Sequence, residues 1–199
     1  MPHPHPRRVL LSHVPEEHGL LWQAILSSQG VVVEFDSNWR QHHPNLVTYL
    51  QELIDQAQPL PHLLIMDINV KMGADSHAAE VCLWCTKFLA DLQVIFLYNS
   101  TEQVPDLAKR WALRRGAVDV LPKLTRENLL VSTIKLTSIL GMTVKAEPLK
   151  GIAELMPSST PVPPASSPPN AAPSPEPKPK TAAQEYIIYR GVKVPKNRS

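Results

Sequence analysis

The sequence predicts an α/β fold with a doubly wound, five-stranded parallel sheet. Between residues 7 and 141, short apolar segments alternate five times with longer segments whose apolar residues recur at helical spacing. Repeated strand–helix units of this kind favour a parallel sheet with right-handed crossovers. Residues 63–68 are nearly all apolar, which is typical of a strand that helices cover on both faces. This region also holds most of the Leu, Ile, Val and Trp residues, so it can bury one core.

Each element follows from its local pattern. Short apolar runs predict strands at residues 8–12, 31–35, 63–68, 94–98 and 118–121. Amphipathic segments predict helices at residues 16–29, 44–56, 76–89, 104–115 and 127–140. Gly30 and Gly116 are expected to end the first and fourth helices, and Ser76 is expected to cap the start of the third.

The prolines divide the chain. Eleven of the 21 lie between Pro148 and Pro179, and from Pro157 to Lys180 the remaining residues are mostly Ser, Ala and Thr. Such a composition cannot offset the entropy of ordering and predicts a solvated spacer. The predicted organisation is a disordered N-terminus (1–6), the α/β domain (7–141), a Pro-rich linker (142–181) and a short C-terminal peptide (182–199).

Composition excludes several classes of protein. Two cysteines cannot staple a disulfide scaffold, and the longest apolar runs are too short to span a bilayer. The N-terminus lacks a signal-peptide core, which predicts a reducing cytoplasm. A net charge of +2 and the lack of a helix-turn-helix pattern after residue 141 argue against binding nucleic acid. The α/β domain is slightly acidic, at −2, whereas residues 142–199 carry +4.

In a doubly wound sheet, ligands bind beyond the carboxyl ends of the strands. The residues expected at that edge are polar or titratable: Ser12, His13, Asp67, Tyr98, Asn99, Ser100 and Lys123. They are the candidates for any chemistry of this domain.

Three segments resemble the receiver (CheY-like) domain of bacterial two-component response regulators. They are RVLLSHVPEE at residues 8–17, LLIMDI at 63–68 and RGAVDVLPK at 115–123. The resemblance implies a (βα)5, flavodoxin-like receiver fold over residues 7–141. It also implies that Asp67 is the phospho-acceptor, that Lys123 is the active-site lysine and that Mg²⁺ binds beside them.

The sequence departs from that family where the chemistry is most demanding. Ser12 and His13 stand where the family has an acidic pair that holds the cation, and Mg²⁺ prefers hard oxygen ligands. Tyr98 stands where the family has a small hydroxyl residue, and Leu124 follows the lysine in place of proline. These departures favour a non-enzymatic pseudo-receiver that needs no cofactor and acts as an adaptor through protein–protein contacts. The alternative is a response regulator that a histidine kinase phosphorylates on Asp67, with Mg²⁺.

Three further motifs each have a functional and a structural interpretation. Cys82 and Cys85 form a C-x-x-C pair that could sense redox state, or that could simply be small residues inside a helix. His3, His5, His42 and His43 could bind a transition metal, or be solvated loop residues. Lys109, Arg110, Arg114 and Arg115 could meet phosphate or an acidic partner, or form a solvated helix face.

The C-terminal peptide YIIYRGVKV, at residues 186–194, is aromatic, β-branched and basic. Tyr and Arg are enriched at binding hot spots, and Tyr186, Ile188, Tyr189, Arg190 and Val192 are predicted to bind a protein partner or a large complex. Its YRGV core resembles the opening of a small domain found mainly in cyanobacteria. An inert tail, or a strand docked on its own domain, are the alternatives.

Overall fold

A computed structural model describes residues 6–38, 42, 45–72, 76–156, 186–189 and 192–195 of the 199-residue chain. Residues 1–160 belong to one compact unit and residues 161–199 to another. The predicted N-terminal segment 1–6 falls almost wholly outside the described residues, as does most of the predicted linker.

The first unit is built on five parallel strands. They are β1 (Arg8–Ser12), β2 (Val32–Phe35), β3 (Leu63–Asp67), β4 (Gln93–Tyr98) and β5 (Asp119–Pro122). Their order in the sheet is β2-β1-β3-β4-β5. Because chain order reverses between β1 and β3, their carboxyl ends flank the topological switch point of the sheet. The predicted fold class is confirmed.

Six helices accompany the sheet in the described part of the chain. They are α1 (Glu16–Ser28), α2 (Leu46–Asp55), α3 (Ala78–Phe88), α4 (Asp106–Arg114), α5 (Leu129–Ile139) and α6 (Ala146–Leu155). None of them combines the length and apolar composition that crossing a bilayer requires. Helices α2, α3 and α4 cover one face of the sheet, around Met66 and Phe96. Helices α1, α5 and α6 cover the other, around Ile65 and Leu97.

The strands and the first five helices are confirmed, with ends that shift by at most two residues. Gly30 and Gly116 have positive φ angles of 86° and 95° directly after α1 and α4, as expected where glycine ends a helix. The prediction that Ser76 caps α3 is wrong. The residue pair Ser76–His77 is instead a short strand antiparallel to Lys71–Met72, and α3 begins only at Ala78.

The predicted start of the linker at residue 142 differs from the structure, because α6 belongs to the folded domain. Leu149 and Met156 are buried in the cluster around α1 and α5. The N–H of Lys145 donates to Gln29 Oε1 at 2.6 Å, and Gln29 Nε2 donates back to the Lys145 carbonyl at 3.1 Å. Helix α6 is therefore held by apolar burial and by two hydrogen bonds to the end of α1.

The described part of the second unit is a two-stranded antiparallel ribbon, Tyr186–Tyr189 with Val192–Pro195. In its register, Tyr189 lies opposite Val192 and Tyr186 opposite Pro195. We call it the C-terminal hairpin. The peptide at residues 186–194 thus contributes to two short strands. Arg190 lies outside the described residues.

Candidate functional site

The sequence-predicted site residues lie at the carboxyl edge of the sheet, as parallel strands require. Ser12 ends β1, Asp67 ends β3 and Tyr98 ends β4. Asn99, Ser100 and Lys123 follow β4 and β5 directly. Chain order alone therefore places these residues on the correct edge, and the side-chain contacts decide which of them act together.

The side chains of Ser12 and His13 are hydrogen-bonded to each other. Ser12 Oγ and His13 Nδ1 are hydrogen-bonded at 2.6 Å, and both residues are buried. His13 has a φ of 56°, a left-handed conformation in which His is enriched among non-glycine residues. This turn after β1 directs the two side chains towards each other. A neutral hydroxyl and an imidazole therefore lie at the end of β1, the strand that pairs with β3 and its Asp67.

Asp67 is held by amide donors. The backbone N–H of Asn69 donates to Oδ1 at 2.7 Å, which closes an Asx turn after β3. Asn99, the residue directly after β4, donates from Nδ2 to Asp67 Oδ2 at 2.8 Å. Asp67 is buried, with 9% of the residue exposed. Both of its oxygens therefore already accept hydrogen bonds from neutral groups.

Lys123 does not join Asp67. Its side chain is exposed, and its backbone N–H donates to the Thr101 carbonyl at 3.1 Å. None of the ion pairs in the described part of the chain links these two residues. Asp67 and Lys123, the two residues that the receiver resemblance implies for the active site, therefore form no ion pair in this structure. Asn99 contacts the carboxylate instead of the lysine.

Tyr98 and Ser100 take no part in the two hydrogen bonds to Asp67, which come from Asn69 and Asn99. Tyr98 is half-buried and packs on the apolar cluster of the α2–α3–α4 face. Ser100 is exposed. Because its ring packs in that cluster, Tyr98 cannot move inward towards a group bound to Asp67. This is as expected from the replacement of the family's small hydroxyl residue by tyrosine.

A cleft of about 500 Å³ opens at this edge of the sheet. The loops after β1, β2 and β3 line it, with His13, Glu16, Asp36, Asp67 and Asn69 among the lining residues. Asp36 is already engaged, because its carboxylate contacts His42 Nδ1 at 2.6 Å and accepts from the Asn38 N–H at 2.8 Å. Glu16 is exposed at the start of α1, as expected from its position.

No protein-family model matches the sequence, and no curated protein matches it either. Solved structures do match the architecture. A response regulator from Thermotoga maritima superposes with a TM-score of 0.51 at 18% identity, covering 68% of this chain and 98% of that one. The fold is that of a receiver domain. The signal receiver domain of an HD domain-containing protein from Pseudomonas fluorescens Pf-5 gives 0.51 at 17% identity, covering 71% of this chain and 91% of that one.

A receiver fold raises the question of a divalent cation beside the acceptor carboxylate. Mg²⁺ requires near-octahedral oxygen ligands and is usually bound by carboxylates and water. Here Ser12 ends β1, His13 follows it, and their side chains bond to each other. Among the residues that the structure describes, no three His, Cys, Asp or Glu side chains are grouped so as to hold a metal ion. The residues present do not fit a Mg²⁺ site at Asp67.

The C-x-x-C pair lies in the core and away from the cleft. Cys82 and Cys85 are fully buried on α3, and both are free thiols. Burial raises the pKa of the Cys82 thiol to about 11 and that of Cys85 to about 12. Reactive cysteines have lowered pKa values and accessible thiols, so this geometry supports the structural interpretation of the motif.

Sequence reasoning missed two contributors to the site. The Asn69 N–H, which binds Asp67, belongs to a turn that no residue pattern identified. Asp36 lines the cleft from the end of β2. An acidic residue directly after a strand was a usable signal for Asp36, since it shares the carboxyl edge.

His3, His5 and His43 lie outside the described residues.

Proposed function

We propose that this protein is a non-catalytic pseudo-receiver that acts as a cytoplasmic adaptor through protein–protein contacts. The observation that carries the proposal is the pairing of Ser12 with His13 at the positions where receiver chemistry needs two carboxylates. The cleft keeps its acceptor-like Asp67 but lacks the ligand set for the cation that would neutralise a phosphoryl group. A reducing compartment fits the two free thiols.

Charge is the physical reason that Asp67 alone is insufficient. A phosphoryl group brings roughly two negative charges at neutral pH. Those charges are normally offset by metal ions and cationic side chains during phosphoryl transfer. At Asp67 the nearest bonded partners are the Asn99 amide and the Asn69 N–H, which are neutral. The exposed Lys123 makes no ion pair with Asp67.

Acetyl phosphate with Mg²⁺ tests the proposal directly. The full chain is incubated with both and analysed by intact mass spectrometry, beside Asp67→Asn and a known active receiver. We expect no phosphorylated species from this chain. Stable labelling that disappears in Asp67→Asn would overturn the proposal.

A second function rests on a specific observation, the position of Asp67. It ends the central strand β3 and lines the cleft, which is where a phospho-acceptor belongs. Under this alternative, a histidine kinase phosphorylates Asp67 and the domain is a response regulator in a two-component relay. Labelling in the acetyl phosphate experiment would favour this function.

We further propose that residues 182–199 tether a protein partner, with the Pro-rich segment as spacer. An isolated two-stranded hairpin is only marginally stable in water, so the C-terminal hairpin gains most from a surface to pair with or pack on. Tyr186, Tyr189 and Arg190 are of types enriched at binding hot spots, and Ile188 and Val192 are β-branched types that suit pairing as a strand. A spacer of this length keeps a captured partner at high effective concentration near the domain.

Pull-down of the full chain from its native cells, with and without residues 182–199, tests the tether. We expect the main partner to be lost on deletion and retained by Asp67→Asn. A control chain in which a Gly/Ser segment of equal length replaces residues 158–181 should keep the partner. Retention of the partner by the deleted chain would refute the tether.

A further inference from the structure

A groove of about 330 Å³ opens at the amino edge of the sheet, the edge opposite to the cleft. Two segments line it, residues 60–62 before β3 and residues 88–92 between the end of α3 and the start of β4. We call it the amino-edge groove. Six of its eight lining residues are apolar, and the other two are His62 and Asp91. It shares no residue with the cleft.

Phe88 supplies this groove with an exposed aromatic ring. The residue is 57% exposed at the end of α3. Its ring lies against that of Trp84, with centroids 5.4 Å apart, and Lys87 Nζ lies 5.0 Å from its centroid. These contacts orient the ring while they leave more than half of the residue accessible. Exposed aromatic residues of this kind are typical of binding surfaces.

His62 supplies a hydrogen-bond donor. Its Nδ1 accepts from the backbone N–H of Arg8 at 3.1 Å. In the neutral ring the proton is therefore on Nε2, which leaves the Nε2–H as the donor of the side chain. Burial lowers the pKa of His62 below its usual range, and the charges of Arg7 and Arg8 lower it further. The neutral ring therefore prevails at pH 7.

These groups fit a segment in the polyproline II conformation. Such a segment has no internal hydrogen bonds, so its carbonyls are open to a donor, and its proline rings pack in aromatic-lined grooves. Phe88 and Leu60 suit the rings, and the Nε2–H of His62 suits a carbonyl. The exposed Asp91 offers an acceptor to a donor side chain of the segment.

The chain carries such a segment directly before β1. Residues 2–6 have the sequence Pro-His-Pro-His-Pro. They end two residues before Arg8, whose N–H is itself bonded to His62 of the groove. Five residues in the polyproline II conformation span about 15 Å, which is enough to lie along a groove of this size. The two imidazoles of the segment can donate to Asp91, so its polar groups match as well.

We propose that residues 2–6 bind in the amino-edge groove as a polyproline II segment of the same chain. Proline rings pack on Phe88 and Leu60, the Nε2–H of His62 donates to a backbone carbonyl, and an imidazole donates to Asp91. Proline already fixes φ, so a segment predicted to be disordered by itself loses little entropy on binding. The groove is thus a binding site for Pro-rich sequence, separate from the cleft and from the C-terminal hairpin.

Deletion of residues 2–6 from the full chain tests the proposal by NMR of ¹⁵N-labelled protein. We expect the amide signals of residues 88–92 to shift, although the deletion lies far from them in sequence. Addition of the acetylated peptide MPHPHP at millimolar concentration should move these signals back towards their positions in the full chain. The full chain should bind the added peptide about 10-fold more weakly, because its own segment is present at high effective concentration.

One groove variant and one altered peptide locate the contact. Phe88→Ala removes the ring from the groove, and Leu83→Ala is the matched control, since Leu83 is also exposed on α3 but does not line the groove. In the chain without residues 2–6, Phe88→Ala should weaken peptide binding at least ~5-fold, and Leu83→Ala should stay within about twofold. The peptide MAHAHA should bind at least ~10-fold more weakly than MPHPHP, because it lacks the rings and the fixed φ.

Several outcomes would overturn the proposal. One is a deletion that leaves the signals of residues 88–92 unchanged, and others are equal binding of the two peptides or equal effects of the two variants. Signals of residues 88–92 that depend on protein concentration would identify the segment of a second copy as the occupant. Shifts of these signals in a chain ending at residue 160 would identify the Pro-rich spacer. Asp67→Asn should leave the effect of the deletion unchanged, whether or not the adaptor and tether proposals hold.

Discussion

The two faces of the sheet are covered differently. On one face, α6 adds a layer over α1 and α5 and buries Leu149 and Met156. On the other, α4 lies over Phe96 but leaves Leu107 and Trp111 exposed beside three arginines. The first arrangement adds to the apolar core of the domain, and the second leaves apolar and cationic groups exposed. The position of an apolar residue in a helix therefore does not by itself say whether its side chain is buried in the core or exposed.

The largest expected effect is at α6. Leu149→Ala should lower the free energy of unfolding by about 3 kcal/mol, because it removes a buried side chain from the α1–α5–α6 cluster. Urea unfolding followed by circular dichroism measures it. Leu155→Ala is the matched control on the same helix, since Leu155 is 88% exposed, and should cost less than about 0.5 kcal/mol. Equal effects of the two would mean that α6 does not pack on the domain.

The second prediction concerns Cys82, which is buried in the core on α3. Burial raises the pKa of Cys82 to about 11, so its thiolate population below pH 9 should be about 100-fold smaller in the folded protein than in the unfolded chain. Alkylation by iodoacetamide at pH 8 should be slower by at least that factor. The raised pKa values favour the folded state below pH 9, and this contribution is lost as the pH rises towards 11 and 12. Mass spectrometry with and without guanidinium compares the rates, and rapid labelling of the folded protein would contradict the buried geometry.

Alanine substitution at two glycines should change the stability by smaller amounts, with opposite signs. A Cβ at Gly19 of α1 would overlap the Phe35 ring, so Gly19→Ala should destabilise by about 1 kcal/mol or more. A Cβ at Gly151 of α6 meets nothing within 4 Å, so Gly151→Ala should stabilise by about 0.5–1 kcal/mol through helix propensity. Thermal unfolding of both variants decides the signs. Stabilisation by Gly19→Ala would show that helix propensity outweighs packing there, and destabilisation by Gly151→Ala would contradict the open space at that position.

The smallest expected effect is at the exposed α4 face. Leu107→Ala should change the free energy of unfolding by less than about 0.5 kcal/mol, because Leu107 is 75% exposed. The measurement is the same urea titration used for Leu149→Ala. A loss approaching that of Leu149→Ala would show that Leu107 belongs to the core, and it would remove the contrast between the two faces.

The domain's strands and first five helices were predictable because they depend on local patterns of apolar residues. Helix α6 lies in the segment predicted as linker, and its sequence contains Pro148 and Gly151, which disfavour helix in isolation. Pro148 is tolerated because it lies in the first turn, where backbone N–H groups lack intrahelical partners. Burial of Leu149 against distant helices then stabilises a segment that local propensity does not favour.

At the candidate site, the sequence by itself determined which residues reach the carboxyl edge of the sheet. Strand order and direction place Ser12, His13 and Asp67 there whatever their side chains do. Only the tertiary structure decided that His13 bonds to Ser12, that Asn99 instead of Lys123 binds Asp67, and that α4 leaves its arginines unpaired. The physical reason is that strand periodicity is a local property. Hydrogen-bond and ion-pair partners depend instead on side-chain directions and burial set by residues far apart in the chain.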